Sequence, residues 1–321
     1  MEALGKFERL LAGIAVIDAK LADTIRQLEV RWKTGEPRDG ELTELVAGVL
    51  QSAVDAGLLS FETMVRGFNT YAHDFSERQL DFLRFGRYRA TSYEEVYRDV
   101  YANEAFLRTT YYPALLLSYL AAPNYRHIFR RFDRILTTWR AERVARVLEI
   151  GSGHALLMLF ALRQLPEAIG LGTDIAPAAA AFALALDRIT AWATSRFHFE
   201  VTDVLQEDSS ALGEPFDAVI CCEFLEHVPE PARFLRAAHR HLRTGGRLFV
   251  SAAVRMESVD HLTLFGSTDE VAALLAGEGF EVIEDMSVPF VTRRPRDAAH
   301  WNKLLHNPQV AATFVAEYRK V

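Results

Sequence analysis

The sequence predicts an α/β fold in which a mainly parallel sheet follows an all-helical N-terminal region. Before Val144, apolar residues recur with helical spacing, and no strand signal of comparable quality is present. After it, short β-branched runs alternate with helical patterns, which is typical of a parallel sheet with crossover helices. Five parallel strands are predicted at residues 146–150, 168–173, 197–201, 218–222 and 247–252, and a closing hairpin at residues 280–289 and 311–318.

The composition is that of a globular protein with a large core. Half of the 321 residues are hydrophobic and a quarter are charged, which is enough for one full domain and a substantial second element. The formal net charge of −7 opposes the long-range attraction that a general nucleic-acid binder needs. We therefore expect a small-molecule substrate and no nucleic-acid partner.

Cysteine usage and the N-terminal segment favour a cytoplasmic protein. The two cysteines, Cys221 and Cys222, are adjacent in a predicted strand, so their side chains point to opposite faces and form no disulfide framework. The apolar run 10–17 is too short to span a bilayer, and no small-residue cleavage site follows it. We expect no membrane anchor.

Residues 1–34 predict one long helix with a heptad seam. Apolar side chains recur three and four positions apart except at Asp18. The seam consists of Leu4, Phe7, Leu11, Ile14, Leu21, Ile25, Leu28 and Trp32. Such a seam packs either on its own domain or against a second subunit, so a homodimer through this helix is one of two expectations.

Further helical patterns complete the N-terminal region. They follow a turn at residues 33–40 and cover residues 41–56, 61–85, 93–107 and 113–140. The sequence therefore divides into a helical cap and possible dimerisation module, residues 1–140, and a sheet domain, residues 141–321.

Residues 146–162 have the pattern of a buried strand, a glycine turn and a helix start. Glycines let a ligand approach the backbone closely, and the helix N-terminus offers unpaired N–H groups. The segment resembles motif I of class I S-adenosylmethionine-dependent methyltransferases, except that Ala155 replaces the third glycine. The resemblance implies a Rossmann-like domain that binds S-adenosylmethionine. The implied cofactor contacts are Glu149, Gly151, Ser152 and Gly153.

Acidic residues also follow the next two predicted strands. Asp174 lies 25 positions after Glu149, where a carboxylate can accept hydrogen bonds from both ribose hydroxyls; the alternative is that it only caps the next helix. In the resembled family, the residue at Asp203 holds the adenine amino group, and Val204 offers a neighbouring backbone N–H. With Ile175, these residues are predicted cofactor contacts.

The segment 216–252 extends the resemblance. Glu223 lies at the carboxyl edge of the fourth strand, where ligands bind in open α/β sheets. Gly245 and Gly246 predict a turn before the fifth strand. Four motifs in the family's order extend the resemblance over roughly residues 146–290, whereas a nicotinamide dehydrogenase is not expected to carry this segment.

Two histidines lie in the predicted ligand-binding loops. In the resembled family the Glu226-His227 turn lines the cofactor pocket without catalysing anything, so His227 is a predicted cofactor contact. His261, after the fifth strand, is the candidate base. The sequence shows no metal-ligand cluster, so we expect no metal, which argues against catechol-type methylation.

The second half of the cap is rich in tyrosine. Most of these rings are expected in the core, but the stretch 85–97 is polar and contains glycine, a poor place to bury them. Tyr88 and Tyr93, in this stretch, are therefore the predicted pocket residues. With Tyr111 they are candidate catalytic residues, because tyrosine rings attract the sulfonium charge. Arg87 is predicted to bind a carboxylate of the cofactor or the substrate.

The features together predict an enzyme that transfers the methyl group of S-adenosylmethionine to a small molecule. One alternative is a methyltransferase-like S-adenosylmethionine cyclase, which forms azetidine-2-carboxylate and methylthioadenosine when no acceptor enters the closed site. Another is a non-catalytic scaffold that retains the cofactor pocket while its heptads recruit a partner.

Overall fold

The N-terminal half of the chain is helical. The computed structural model describes residues 5–32, 36–89, 92–205 and 212–321, without the side chain of Thr194. The helices of this half are α1 Lys6–Ile17, α2 Ala19–Trp32, α3 Pro37–Asp55, α4 Phe61–Phe85, α5 Tyr93–Val96, α6 Glu104–Phe106, α7 Tyr112–Ala121 and α8 Pro123–Ala141. Two π-helical turns, Tyr97–Tyr101 and Leu107–Tyr111, break the continuous helix expected over residues 93–107.

The long N-terminal helix predicted from the heptads is wrong, because the chain breaks at Asp18. This residue is extended, with φ −148°, and its Oδ1 accepts a hydrogen bond from Leu21 N at 2.9 Å. The carboxylate thereby begins α2 instead of continuing α1. The described seam residues are buried within the chain, Ile14 and Ile25 completely, so the seam packs on its own subunit.

The C-terminal half contains a mixed sheet with strand order β3-β2-β1-β4-β5-β8-β6, and β7 pairs with β8. The strands are β1 Arg146–Ile150, β2 Ile169–Asp174, β3 Phe197–Val201, β4 Phe216–Cys222, β5 Leu242–Val254, β6 Phe280–Asp285, β7 Val288–Pro289 and β8 Ala312–Lys320. The first five strands are parallel, and β8 pairs antiparallel with β5 and β6. The predicted Rossmann-like fold class is therefore confirmed.

Among the described residues of this half, five α-helices accompany these strands, and one predicted turn differs. The helices are α9 Leu156–Gln164, α10 Pro177–Thr190, α11 Pro231–His241, α12 Thr268–Gly277 and α13 Ala298–Leu305. Gly245 and Gly246 lie inside β5 rather than before it. The register shifts between Phe216 and Ala218 because β5 carries extra residues at this point, and the +75° φ of Gly245 accommodates the irregularity.

Helix α8 joins the cap to the sheet. Phe132 packs against Phe249 of β5 with ring centroids 4.8 Å apart, and Trp139 Nε1 donates a 2.9 Å hydrogen bond to Glu317 of β8. The two halves consequently share one hydrophobic core. Within the described ranges, no helix combines the length and apolar character needed to cross a membrane.

Candidate active site

A cavity of about 750 Å³ lies where the helical cap meets the carboxyl ends of the parallel strands. The ends of β1 to β4 and the segments after them form one wall, and residues of α4, α7 and α8 contribute to the other. The volume is in the upper part of the range of about 300–1,000 Å³ for small-molecule sites. Open α/β sheets bind ligands at this edge, so the position makes the cavity the candidate site.

The glycine turn after β1 has the left-handed conformation that its sequence suggests. Gly151 has φ +68°, and a Cβ there would lie 2.1 Å from Phe224 Cδ2. Gly153 has φ +49° and Ala155 has φ +58°. A side chain is therefore excluded at Gly151, while Ala155 adopts a conformation that costs an L-residue about 1–2 kcal/mol.

Glu149 is buried at the end of β1 and lines the cavity. Its Oε2 accepts a 2.5 Å hydrogen bond from Ser152 Oγ. Burial raises the pKa of this carboxyl to about 8, because the low-dielectric surroundings disfavour the charged form. Ser152 also lines the cavity.

Asp174 ends β2 beside the glycine turn. Its Oδ2 accepts a hydrogen bond from Gly153 N and its Oδ1 one from Ala176 N, both at 2.9 Å. These bonds fix the turn before α10, whose N-cap residue is Ala176 and has no side-chain capping bond, so Asp174 supports the turn without capping the helix itself. It also lines the cavity with Ile175. One carboxylate can serve both purposes, since each oxygen has a second lone pair.

Asp203 and Val204 follow β3 and line the same cavity. The Asp203 Oδ1 accepts a 2.9 Å hydrogen bond from Leu205 N, which fixes the turn. Val204 is buried, with 8% of its surface exposed. Both predicted cofactor contacts are therefore positioned at the cavity wall.

Glu223, directly after β4, is held in a strained conformation. It has φ +48°, and its N–H donates to the backbone oxygen of Ser251 at 3.0 Å and to Ser251 Oγ at 2.9 Å. Its Oε1 is buried and has no hydrogen-bond partner among the described residues. Burial raises the pKa of the carboxyl to about 7. Strain and an unsatisfied oxygen often mark a ligand contact.

His227, a predicted cofactor contact, and His261, the candidate base, form one cluster with two acidic residues. The rings of His227 and His261 have centroids 4.9 Å apart, and both line the cavity. Glu226 Oε1 lies 4.0 Å from His261 Nε2, and Asp260 Oδ2 lies 3.4 Å from His227 Nδ1. Burial lowers the pKa of His261 to about 4, so the imidazole is neutral near pH 7.

The aromatic predictions divide into two groups. Tyr93 and Tyr111 line the cavity, and the Tyr111 hydroxyl donates to Asp260 Oδ2 at 2.5 Å. Tyr88 was expected in the pocket, but it is not among the residues that line the cavity. Its hydroxyl instead donates a 2.5 Å hydrogen bond to Met256 O in the segment after β5. Arg87 was expected to bind a carboxylate in the pocket, but it is exposed and outside the lining.

Several residues of α7 and α8 that line the cavity were not predicted from the sequence. They are Tyr112, Tyr119, Asn124 and Tyr125. Asn124 is 2% exposed, and its Oδ1 has no hydrogen-bond partner in the part of the chain that the structure describes. A detectable signal was Pro123, which interrupts the helical pattern and places the polar Asn124 at the start of a helix.

Comparisons with known proteins agree with this geometry. Residues 148–248 match a family model described as a methyltransferase domain. This part of the chain is therefore similar to methyltransferase domains. It contains the last three residues of β1, all of β2 to β4, the first part of β5 and the four acidic residues at the strand ends.

Curated relatives of the chain include O-methyltransferases. A ubiquinone biosynthesis O-methyltransferase from Xylella fastidiosa (strain 9a5c) is 32% identical over 157 residues, covering 49% of this chain and 58% of the relative. One from Pseudomonas entomophila (strain L48) is 29% identical over 133 residues, covering 40% and 55%. The chain thus spans little more than half the length of these relatives.

The solved structure of the mitomycin 7-O-methyltransferase MmcR is similar in fold. It has a TM-score of 0.51 and 18% sequence identity, and the match covers 84% of this chain and 76% of that one. Since this match covers more of the chain than residues 148–248, the similarity in fold extends beyond the segment that matches the family model.

Proposed function

We propose that the chain is an enzyme that transfers the methyl group of S-adenosylmethionine to a small molecule. One observation carries the proposal: the acidic residues that end or follow four parallel strands all line a single cavity. These residues are Glu149, Asp174, Asp203 and Glu223. A row of acceptors at this edge suits a ligand with several hydroxyl and amino donors.

The unsatisfied polar atoms of the cavity fit the proposed cofactor. Glu223 Oε1 and Asn124 Oδ1 are both buried without a hydrogen-bond partner among the described residues. A buried acceptor without a partner costs about 1–3 kcal/mol, and the cationic amino group of S-adenosylmethionine can donate to such oxygens. We assign the ribose hydroxyls to Asp174 and the adenine amino group to Asp203 and its neighbour Val204.

The bound cofactor supplies an electrophilic methyl group on a cationic sulfur. The protein contributes position and the exclusion of water, because the cap covers the strand ends. Tyrosine rings can also attract the positive charge, by about 0.5–2 kcal/mol. Tyr93, Tyr111 and Tyr112 line the cavity and are suited to this role.

We infer an aromatic hydroxyl compound as the acceptor. The cavity is large enough for a second molecule beside the cofactor, and its cap wall is lined by tyrosines that can stack on a ring. The names of the curated relatives, which are O-methyltransferases of ubiquinone biosynthesis, favour an oxygen acceptor.

S-adenosylmethionine cyclisation is the second candidate. Forming azetidine-2-carboxylate and methylthioadenosine requires the cofactor's own amine in its neutral form and a hydrogen-bond acceptor beside it. The unpartnered oxygens of Glu223 and Asn124 provide such acceptors. The size of the cavity favours methyl transfer, since cyclisation needs no room for a second molecule.

A cytoplasmic location, a homodimer and the absence of a nucleic-acid partner stay predictions. The net charge of −7 supports the last of these. The heptad seam is already buried in the chain, so a dimer through α1 and α2 has to use their exposed faces, where Val16 and Val30 lie.

Product analysis tests the proposal. Purified protein is incubated with S-adenosylmethionine alone and then with a panel of phenols and catechols, and nucleoside products are identified by mass spectrometry. We expect S-adenosylhomocysteine only when an acceptor is present. Methylthioadenosine formed without acceptor establishes the cyclase, and binding without any product over the whole panel favours the scaffold.

A further inference from the structure

A group of three metal-ligating side chains lies beside the cavity. One ligand atom from each of Glu226, His227 and His261 lies within 4.8 Å of the others. Glu226 and His227 belong to the 3-10 turn Leu225–His227 after β4, and His261 belongs to the segment after β5. Because these two segments are far apart in the sequence, the sequence alone shows no metal-ligand spacing.

Backbone hydrogen bonds hold these two segments together. The carbonyl oxygen of Glu226 accepts hydrogen bonds from Leu262 N at 2.8 Å and from Thr263 N at 2.9 Å. The side chain of Thr263 also donates to Val228 O at 2.7 Å. The three candidate ligands are therefore fixed by their own backbone before any ion binds, which lowers the entropic cost of binding.

Both imidazoles have the hydrogen-bond arrangement of metal ligands. His261 Nδ1 lies 2.8 Å from Met256 O, and His227 Nδ1 lies 3.1 Å from Asp260 O. A carbonyl oxygen only accepts, so each Nδ1 carries a proton, and in the neutral ring the lone pair is on Nε2. A metal-binding histidine usually donates its other ring N–H to a carbonyl or carboxylate in this way.

The buried carboxylate of Glu226 is a separate reason to expect a cation at this cluster. Its side chain is 0% exposed, and neither carboxylate oxygen has a hydrogen bond of normal geometry among the described residues, although the backbone N–H groups of Glu226 and Ala253 lie close enough to favour the charged form. Buried Glu223 and Asp260 add negative charge nearby. A buried carboxylate in such surroundings needs a cation or a proton.

We propose that Glu226, His227 and His261 bind a divalent transition-metal ion, for which Zn²⁺ is the probe. Two imidazoles and one carboxylate form a ligand set that leaves a coordination position open. Because His227 and His261 line the cavity, we expect the open coordination position of the ion to face a molecule bound in the cavity.

The consequence for the reaction rests on the proposed function. A hydroxyl oxygen of the acceptor that occupies the open position loses its proton to solvent at a lower pH, because the metal stabilises the oxyanion. The ion thus provides the activation that a general base provides elsewhere. His261, expected to be that base, becomes a metal ligand.

Metal binding is measured directly, without turnover. Tag-free full-length protein is treated with a chelator, dialysed, and titrated with ZnCl₂, MnCl₂ or MgCl₂ by calorimetry, with the bound metal counted by mass spectrometry. We expect one Zn²⁺ per chain. Glu226→Gln and His261→Gln should each weaken binding at least about tenfold, whereas His127→Gln should not, because this buried histidine hydrogen-bonds Met286 O away from the cluster.

Three outcomes decide the inference. No binding of any of the three ions at 1 mM (roughly the weakest affinity of a specific site) overturns it, as does unchanged Zn²⁺ affinity in both cluster variants. If these variants fail to fold, the visible spectrum of the Co²⁺-loaded wild-type protein decides, since nitrogen ligation in a four-coordinate site gives intense bands and loose surface binding does not. Because no S-adenosylmethionine is used, metal binding can fail or succeed independently of the proposed methyl transfer.

Discussion

The Tyr111 hydroxyl donates a 2.5 Å hydrogen bond to Asp260 Oδ2 and so joins the helical cap to the segment after β5. Asp260 is 0% exposed, and the Tyr101 hydroxyl lies 3.5 Å from the same oxygen. Nearby His227 and His261 lower the pKa of Asp260. The bond therefore connects a cap residue to a buried carboxyl group at the candidate site.

Tyr111→Phe removes this bond and leaves the buried carboxylate oxygen without its closest donor. We expect the free energy of unfolding to fall by about 1–3 kcal/mol, measured by urea denaturation. Tyr97→Phe is the control, since Tyr97 is 41% exposed. Equal stability of the two variants would show that the bond between Tyr111 and Asp260 contributes nothing to the stability of the fold.

Asp174→Ala should abolish S-adenosylmethionine binding in calorimetry. The change removes the acceptor assigned to the ribose and also the acceptor of Gly153 N and Ala176 N, so the glycine turn loses its support as well. Each unpaired group costs about 1–3 kcal/mol. The control is Asp269→Ala, at an exposed position in the first turn of α12. A folded Asp174→Ala protein with wild-type affinity contradicts the ribose assignment.

Two opposite substitutions test the glycine turn. Gly151→Ala should prevent cofactor binding, because its Cβ would lie 2.1 Å from the Phe224 ring at a φ of +68°. Ala155→Gly should leave binding intact and change stability by less than about 1 kcal/mol, since relief of the left-handed strain is offset by the greater entropy of glycine in the unfolded chain. Thermal melting and calorimetry measure both. A loss of binding in Ala155→Gly would show that the methyl group of Ala155 is required.

The raised pKa of Glu149 makes stability depend on pH. The folded carboxyl has a pKa of about 8, against an ordinary value of 4.5. Its contribution to stability is therefore full below about pH 4.5 and is lost as the pH rises to 8. Glu149→Gln should flatten the decline of the urea midpoint between pH 5 and pH 8, while Glu167→Gln, an exposed position, should not. Parallel profiles for wild type and Glu149→Gln would contradict this assignment.

The sequence was sufficient to predict the sheet and one wall of the cavity. Strands and the turns after them are local features, so Glu149, Asp174, Asp203 and Glu223 could be assigned to strand ends from short β-branched runs and the motifs of the resembled family. The parallel arrangement then brings them to one edge.

The other wall depended on contacts between distant segments. The expectation that Tyr88 faces the pocket failed because its orientation is fixed by Met256, far away in sequence. The cluster of His227 and His261 forms only when the segments after β4 and β5 meet. No local pattern encodes these long-range contacts. The single helix expected at the N-terminus failed for a local reason, because Asp18 interrupts the heptads and its carboxylate accepts from Leu21 N, three residues on, to begin a second helix.

A crystal structure with S-adenosylhomocysteine tests the central claim most directly. The account predicts the ligand in the cavity between the cap and the strand ends, with the ribose hydroxyls within hydrogen-bonding distance of Asp174, the adenine amino group beside Asp203 and the amino group beside Glu223. A ligand bound elsewhere, or a cavity that stays without ligand at saturating concentration, would contradict it.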